Sequence, residues 1–312
     1  IGGVYDSRKL GFVSRLCAGV VPAVSNGAKD DSALEKFAAV VAGIPAITHN
    51  YVRSHHYNIW FTVIAENEQF VQKIIDKLQK ETDVYNVHIL ASKRMFKINT
   101  VMKSDECQKN LLNAQRFGGA ASLGTVPSFD IAGKVLTDVD KSRIHLLSGD
   151  IPHTLTPFTD LCDQCSCNLD EFFDGAREDL ATRRMRRFGA VLRHQEAGFA
   201  HNAMVCFNMG GAVQSADAIQ STDAVQSAGE ILAANSHVSH CYERAPFEGF
   251  PYNLYAMFHA ASAEELDHAI AGAAQSLAQP LTQSVGCDIP EYAVLHSVRE
   301  LKKTSFTFFA AV

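Results

Sequence analysis

Two observations predict a duplicated α+β fold: two ferredoxin-like βαββαβ units with a winged helix-turn-helix between them. One is an internal repeat, and the other is the same succession of strand-like and helix-like periodicities in both copies. Residues 1–12, IGGVYDSRKLGF, align with 188–199, FGAVLRHQEAGF, matching Gly2 to Gly189, Val4 to Val191, Gly11 to Gly198 and Phe12 to Phe199. Further on, ITHNYVRSHHYNIWF (47–61) aligns with VSHCYERAPFEGFPYNLYAMF (238–258), and ILASKRMFK (89–97) with VLHSVRELK (294–302). Three anchors in one order are a duplication rather than a coincidence.

In the first copy, 11–21 reads as an apolar strand, and Asp30-Asp31-Ser32 reads as the cap of a helix over 33–42. Strands follow at 46–53 and 57–65. An amphipathic helix over 67–80 places Phe70, Ile74 and Leu78 on one face, and a final strand covers 84–99. The second copy repeats the order with strands at 198–208, 236–244, 252–260 and 290–300 and helices near 222–234 and 262–278. That order places helices on one face of an antiparallel sheet. The run AVQSADAIQSTDAVQSA (212–228) reads as a polar loop or an extended helix start.

Between the copies, 104–134 carries glycines and Pro127 without a sustained apolar period, which is a linker. Residues 135–187 contain three helical stretches, VLTDVDKSRIHLLSGD, PFTDLCDQCS and NLDEFFDGAREDLATRR, in the pattern of a winged helix-turn-helix. The predicted units are therefore 1–103, 104–134, 135–187 and 188–312. The duplication predicts a further helical module before residue 1, and the missing initiator Met predicts a start inside a longer protein.

Of the 312 residues, 47% are hydrophobic and 20% charged, ample for real cores and incompatible with wholesale disorder. The net charge of -6 gives no support to nucleic-acid binding through bulk charge. No apolar run approaches the roughly 20 residues of a membrane span. Eight cysteines, at 17, 107, 162, 165, 167, 206, 241 and 287, do not form a secreted disulfide framework in a chain this long, so a soluble cytoplasmic protein is expected. Cys162, Cys165 and Cys167 lack the fourth ligand of a usual metal site and read as small buried residues. The candidate recognition helix, 169–181, holds Asp170, Glu171, Asp174, Glu178 and Asp179 against Arg177 alone, a surface that repels phosphates. Arg183, Arg184, Arg186 and Arg187 follow it and suit an anionic ligand. DNA is thus not an expected partner.

The chemistry is concentrated in an H-x-Y-x-R…Y-N signature that occurs twice. Alternation along a strand puts His49, Tyr51 and Arg53 on one face, and likewise His240, Tyr242 and Arg244. Such a face offers a titratable proton donor, a phenol and a guanidinium fork suited to carboxylates. Apolar residues follow directly, among them Trp60, Phe61, Leu254, Tyr255 and Met257, a mixture that suits a large flat polycarboxylate. His55, His56, Tyr57 and Asn58 extend the first site, and His237, Tyr252 and Asn253 the second. Arg193 and His194 in RRMRRFGAVLRH form a third polar cluster.

On RRFGAVLRHQEAGF, HVSHCYERAPFEGFPYNLYAMFH and ITHNYVRSHHYNIWF, the chain resembles the siroheme decarboxylases, Lrp/AsnC-related proteins made of two related subunits or their fusion. The resemblance covers nearly the whole chain except the linker. It implies removal of two acetate carboxyl groups from siroheme, giving didecarboxysiroheme on the way to haem, with no cofactor beyond the iron tetrapyrrole itself and no metal held by protein alone. It also implies that the two halves associate as a pseudo-dimer. Under this resemblance His240 or His194 donates protons, since a histidine titrating near neutrality suits general acid work. Arg193 and Arg244 would hold carboxylates, and Tyr242 and Tyr252 would orient the ring. The first copy lacks the APFEGFP insertion and has HHYN in place of FPYN, with Asp6-Ser7 where the second has Arg193-His194. The second copy therefore reads as the fuller site. The competing readings are an Lrp/AsnC-type transcriptional regulator and a haem-binding protein without turnover.

Overall fold

A computed structural model describes residues 1–22, 31–98, 135–190, 198–210, 218–285 and 289–310; the 104–134 linker, Arg193, His194, Cys107 and Cys287 lie outside the described residues. A short strand β1 (Gly2–Tyr5) opens the chain. The first copy then runs β2 (Val13–Gly19), α1 (Ser32–Ala42), β3 (Ile47–Arg53), β4 (Ile59–Ala65) and α2 (Glu68–Thr82). Its last strand is split by Ala91 into β5 (Val87–Leu90) and β6 (Ser92–Ile98), where one strand over 84–99 was expected. Asp31 stands at the start of α1 but makes no side-chain capping bond, whereas Asn67 caps α2 by accepting from the Phe70 N–H at 3.1 Å.

That cap sets the phase of α2. The buried stripe is Val71, Ile75, Leu78 and Thr82, so the expected face through Phe70 and Ile74 is one residue out of register. Phe70 is 44% exposed and lies under the Lys73 ammonium, 4.9 Å from its ring centroid.

Three helices follow: α3 (Asp138–Ser148), α4 (Pro157–Cys165) and α5 (Leu169–Ala181), then β7 (Met185–Gly189). The second copy runs β8 (His201–Phe207), α6 (Ala218–Ala234), β9 (Val238–Arg244), β10 (Leu254–Ala260), α7 (Ala263–Val285) and β11 (Tyr292–Lys303). The repetitive 212–228 run thus enters α6 from residue 218 onward.

Each copy forms an antiparallel sheet, in the orders β5-β2-β4-β3 and β11-β8-β10-β9. Their last strands are shared. β11 pairs with β8 through Tyr292–His296 and with β3 through Ser297–Lys303; reciprocally, β5 pairs with β2 while β6 pairs with β9. β5 and β6, consecutive in the chain, stand at the two ends of the nine-strand order, and the β3 and β9 edges that each half alone would expose are covered.

One face of each sheet packs under its helices. Phe37, Ile47, Ile59, Phe61, Ile75 and Leu78 fill the first core, and Val205, Phe207, Leu232, Phe258, Ile270 and Leu277 the second. The opposite faces meet each other through Ala18, Trp60, Leu90, Met204, Cys206, Phe250, Tyr255 and Leu295, drawn from both copies. The H-x-Y-x-R strands turn their polar side chains to this second face.

The helical module takes a strand from the chain's start: β1 pairs antiparallel with β7, placing Gly2 opposite Gly189. A Cβ on Gly2 would stand 2.3 Å from the Gly149 carbonyl oxygen, so only glycine fits there. Phe306, Phe308 and Phe309 from the C-terminal end pack edge-on around Phe12. A buried ionic network braces the module: Arg143 binds Asp140 at 2.9 Å and Asp179 at 3.2 Å, and Arg184 binds Asp179 at 2.7 Å. Asp179 is fully buried. It therefore does not join the acidic surface of α5 expected from sequence, and Arg184 is spent inside the module. Asp170, Glu171 and Asp174 remain exposed, with Glu178 tied to Arg184 at 3.2 Å. No helix of the described residues is long and apolar enough to cross a membrane.

Candidate active site

Adjacent residues on a strand point to opposite faces, yet Thr48-His49 and Ser239-His240 do not. A bulge in β3 sets Ile47 opposite Val63 and His49 opposite Thr62, leaving Thr48 extra; a bulge in β9 leaves Ser239 extra in the same way. The extra residue is thereby re-aimed beside its histidine. Thr48 Oγ1 lies 2.9 Å from His49 Nδ1, and Ser239 Oγ lies 2.8 Å from His240 Nδ1. Both imidazoles are thus held by Nδ1, which leaves Nε2 as the nitrogen that can meet a ligand.

The two copies then diverge. In the second, Ser239 Oγ also lies 2.9 Å from His259 Nε2, so His240, Ser239 and His259 form a continuous chain. The repeat places Ile64 where the second copy has His259, and His49 has no such continuation.

Both signature histidines are half-buried on the shared face, and each is held neutral down to about 4. Burial is the main cause for both. Lys303 adds to it at His49, while His49, Arg186 and Lys97 add to it at His240. A histidine titrating near neutrality was expected from sequence; in this interior, desolvation and nearby cations overrule that. A carboxylate placed beside either ring would pull it back up.

Tyr242 lies 6.4 Å from the His240 ring and nearly parallel to it, and burial raises its phenol, which stays protonated. Arg244, Arg186 and Arg8 oppose that rise, with Asp6 reinforcing it. These neighbours come from a distant part of the chain: Arg186 from β7, with Asp6 and Arg8 from the turn after β1. Arg186 Nη2 donates to Asp6 at 2.9 Å, and burial of Asp6 is outweighed by Arg186 and Arg8, which hold its carboxyl low. Arg8 and Arg186 therefore stand beside the second-copy pair, while Lys97, opposite Cys241 on the helix-covered face and donating to the Asn235 carbonyl at 2.8 Å, acts on His240 from the other side of the sheet. In the first copy, Glu300 stands opposite Tyr51, where the second has Met95 opposite Tyr242. Burial and then Glu300 raise the Tyr51 phenol. Among the described residues, the second face is the more favourable to a polyanion.

The signature arginines sit deeper. Arg53 Nη1 donates to the Leu295 carbonyl at 3.0 Å and Ser297 Oγ at 3.2 Å, and burial lowers it to about 10. Arg244 Nη1 donates to the Leu90 carbonyl at 2.7 Å. Leu90 and Leu295 are repeat equivalents, so each arginine clasps the other copy's exchanged strand. Their guanidinium groups also lie 5.4 and 5.1 Å from the rings of Tyr51 and Tyr242.

The remaining sequence candidates divide. Asn58 accepts from the Val21 N–H and donates to its carbonyl, both at 2.9 Å, and Asn253 accepts from the Met209 N–H at 2.9 Å; both amides fasten strand ends. His55 and Tyr57 pack against the APFEGFP insertion: Tyr57 donates to the Glu248 carbonyl at 2.8 Å, and the His55 ring lies 5.2 Å from Phe250. His56 is exposed beside them. Tyr252 is edge-on to Phe250 at 4.7 Å and donates to Glu291 at 3.4 Å. His237 immediately precedes β9, with Nδ1 3.2 Å from the His259 carbonyl and 3.8 Å from Glu265. The structure thus brings together His49, Tyr51, His240 and Tyr242, and sets the hairpin residues apart from them. Arg193 and His194 fall outside the described residues.

Sequence reasoning missed Asp6, Arg8, Ser239 and His259. The hydroxyl preceding each signature histidine, Thr48 and Ser239, was the available signal. In the helical module, Cys162 and Cys165 are buried in its core, and Cys165 Sγ lies 2.9 Å from Cys167 Sγ; burial raises the Cys165 thiol to about 12. No group of three metal-binding side chains occurs among the described residues.

The AsnC-like ligand-binding domain model matches residues 9–97 and 196–302, more than half of the chain. A siroheme decarboxylase of Hydrogenobacter thermophilus is 29% identical over 99% of this chain and 80% of its own length. The siroheme decarboxylase beta subunit of Desulfovibrio desulfuricans is 30% identical over 54% of this chain and 94% of its own length, and the alpha subunit of that organism is 39% identical over 34% and 56%. Among solved structures, the siroheme decarboxylase NirDL superposes with a TM-score of 0.61 at 26% identity, covering 99% of this chain and 79% of that one. The structure of NirDL with an iron-uroporphyrin III analogue gives a TM-score of 0.62 at 24% identity over the same shares. This chain belongs to the AsnC-like ligand-binding family and, within it, to the siroheme decarboxylases.

Proposed function

We propose that this protein decarboxylates siroheme, removing two acetate carboxyl groups to give didecarboxysiroheme in alternative haem biosynthesis. Fold alone does not assign a reaction. The observation that carries the reading is the convergence of His240 and Tyr242 with Arg8 and Arg186 on one sheet face, in a chain of this family. A tetrapyrrole bearing many carboxylates needs such cations, and a ring needs such a broad, half-apolar face.

Each turnover breaks the bond between an acetate methylene and its carboxylate, releases CO2 and leaves an electron pair delocalised into the macrocycle. A proton then joins the methylene carbon to give a methyl group. The conjugated ring is the electron sink, so no cofactor beyond the substrate's own iron tetrapyrrole is needed. The protein's tasks are to hold the other carboxylates, to keep water from the leaving one and to deliver the proton. His240 delivers it from Nε2, Tyr242 orients the ring edge, and Arg186 and Arg8 hold substituents at a distance from the reacting acetate. Arg53, Arg244, Asn58 and Asn253 support the site by fastening strands rather than by touching substrate.

In this reading the fold is a pair of ferredoxin-like units, and the helical module is a winged helix-turn-helix, with β1 and β7 as its wing, serving as scaffold. The exposed carboxylates of α5 disfavour DNA as its partner. The six described cysteines are free thiols, which suits the cytoplasm. Anaerobic incubation with siroheme, followed by mass spectrometry, tests the function: two successive losses of CO2 are expected. Binding without mass loss would make this a tetrapyrrole carrier instead.

A further inference from the structure

We infer that Asp6 is a positioning residue: its carboxylate sets Arg8 and Arg186 as a two-arginine clamp for the carboxylates of a tetrapyrrole on the second-copy face. The inference rests on the reading of that face as the substrate site. Each oxygen of Asp6 serves a different arginine. Oδ1 accepts from the Arg8 backbone N–H at 3.0 Å and stands 3.6 Å from Arg8 Nε, while Oδ2 accepts from Arg186 Nη2 at 2.9 Å. Asp6 is buried, whereas the Arg8 side chain is 60% exposed and that of Arg186 28%. The anchor is thus inside and the two cations reach outward from it.

Asp6 is itself fixed by the backbone. Its N–H donates to the Arg184 carbonyl at 2.8 Å, beside the β1–β7 pairing, and its side chain caps the short helical turn Ser7–Leu10. That turn carries Arg8 to β6, where Nη2 lies 3.8 Å from Met95 Sδ, and Met95 stands opposite Tyr242. Two guanidinium groups brought to one place repel, and each long side chain loses rotamer freedom when held. A buried carboxylate between them offsets both costs before substrate arrives. Two cations against one anion still leave positive charge. A guanidinium carries five N–H donors, so each arginine can bind Asp6 and also grip a substrate carboxylate.

The sign of one effect separates positioning from bulk charge. Asp6 is an anion beside the site of a polyanion, so loss of its charge alone should tighten binding. Loss of a positioning group should weaken it. The test compares wild type, Asp6→Asn, Asp6→Ser, Arg186→Gln and Asp6→Asn/Arg186→Gln in the full-length protein. Iron-uroporphyrin III binding is read by absorbance and siroheme turnover by mass spectrometry. Asparagine keeps the cap and the shape without the charge; serine keeps a capping hydroxyl that is too short for Arg186. Both should weaken iron-uroporphyrin III binding by about fivefold to twentyfold and raise KM for siroheme by a similar factor. kcat should stay within about twofold, since these arginines hold substituents away from the reacting acetate. In the Arg186→Gln background the Asp6→Asn effect should shrink to about twofold, because Asp6 acts mainly through Arg186 and the exposed Arg8 pair adds little.

Binding by Asp6→Asn as tight as wild type, or tighter, would overturn the positioning role. An undiminished Asp6→Asn effect in the Arg186→Gln background would overturn it as well. Wild-type protein that binds iron uroporphyrin III with this dependence on Asp6, yet removes no CO2 from siroheme, would overturn the decarboxylase reading and leave the clamp standing.

Discussion

Lowering the pH from 7.5 to 4 should destabilise this protein through the two histidines at its centre. The folded state holds His49 and His240 neutral down to about 4, against an ordinary value of 6.5. Below 6.5 the unfolded chain takes up protons that the folded chain refuses, so stability present above 6.5 is lost progressively as pH falls towards 4. At about 1.4 kcal/mol per pH unit, the ceiling is about 3 kcal/mol for each ring. Both rings keep a minor solvent exposure, and screening brings the pair to about 2–4 kcal/mol together. His55 and His88 are shifted in the same direction, both chiefly by burial, and add a smaller slope. Asp6 and Asp140 are held below an ordinary 3.8 and lose their contributions only at lower pH. The assay is urea unfolding at half-unit pH steps for the wild type and for His49→Gln/His240→Gln. The double variant should lose about 2–4 kcal/mol less than the wild type over this range. An identical pH slope in both proteins would refute the argument that burial holds these rings neutral.

Other outcomes follow from the same geometry. Asn50 is fully buried with neither amide atom hydrogen-bonded among the described residues, and its repeat equivalent is Cys241; Asn50→Cys should raise urea-unfolding stability by about 1–3 kcal/mol. Asp179→Asn leaves Arg143 and Arg184 short of their buried counter-charge and should cost about 3–5 kcal/mol in the same assay. Arg186→Gln should weaken iron-uroporphyrin III binding by about tenfold to a hundredfold and flatten its salt dependence, as expected for one charge-assisted contact removed, read by absorbance titration.

The duplication, the order of elements and the polar strand face were legible in the sequence because each is a local pattern: a repeat, a period, an alternation. What was not legible depends on partners far apart in the chain. The exchange of β6 and β11 between copies leaves no periodic trace, and neither does the arrival of Arg8 and Arg186 beside Tyr242. The bulges break the alternation on which strand reading rests, so the contacts of Thr48 and Ser239 with His49 and His240 were missed. Arg53 and Arg244 read as ligand-facing because a guanidinium suits carboxylates; only the positions of Leu295 and Leu90 show that backbone carbonyls claim them first. Asp179 read as surface charge because nothing near it in sequence announces Arg143.

The most direct measurement is single-turnover decarboxylation of siroheme under anaerobic conditions by the wild type, His240→Ala and His49→Ala, followed by mass spectrometry. The account predicts two successive CO2 losses in the wild type, a decrease in rate of about 100-fold or more in His240→Ala, and a much smaller effect in His49→Ala. Undiminished loss of CO2 in His240→Ala, with iron-uroporphyrin III binding intact, would contradict it.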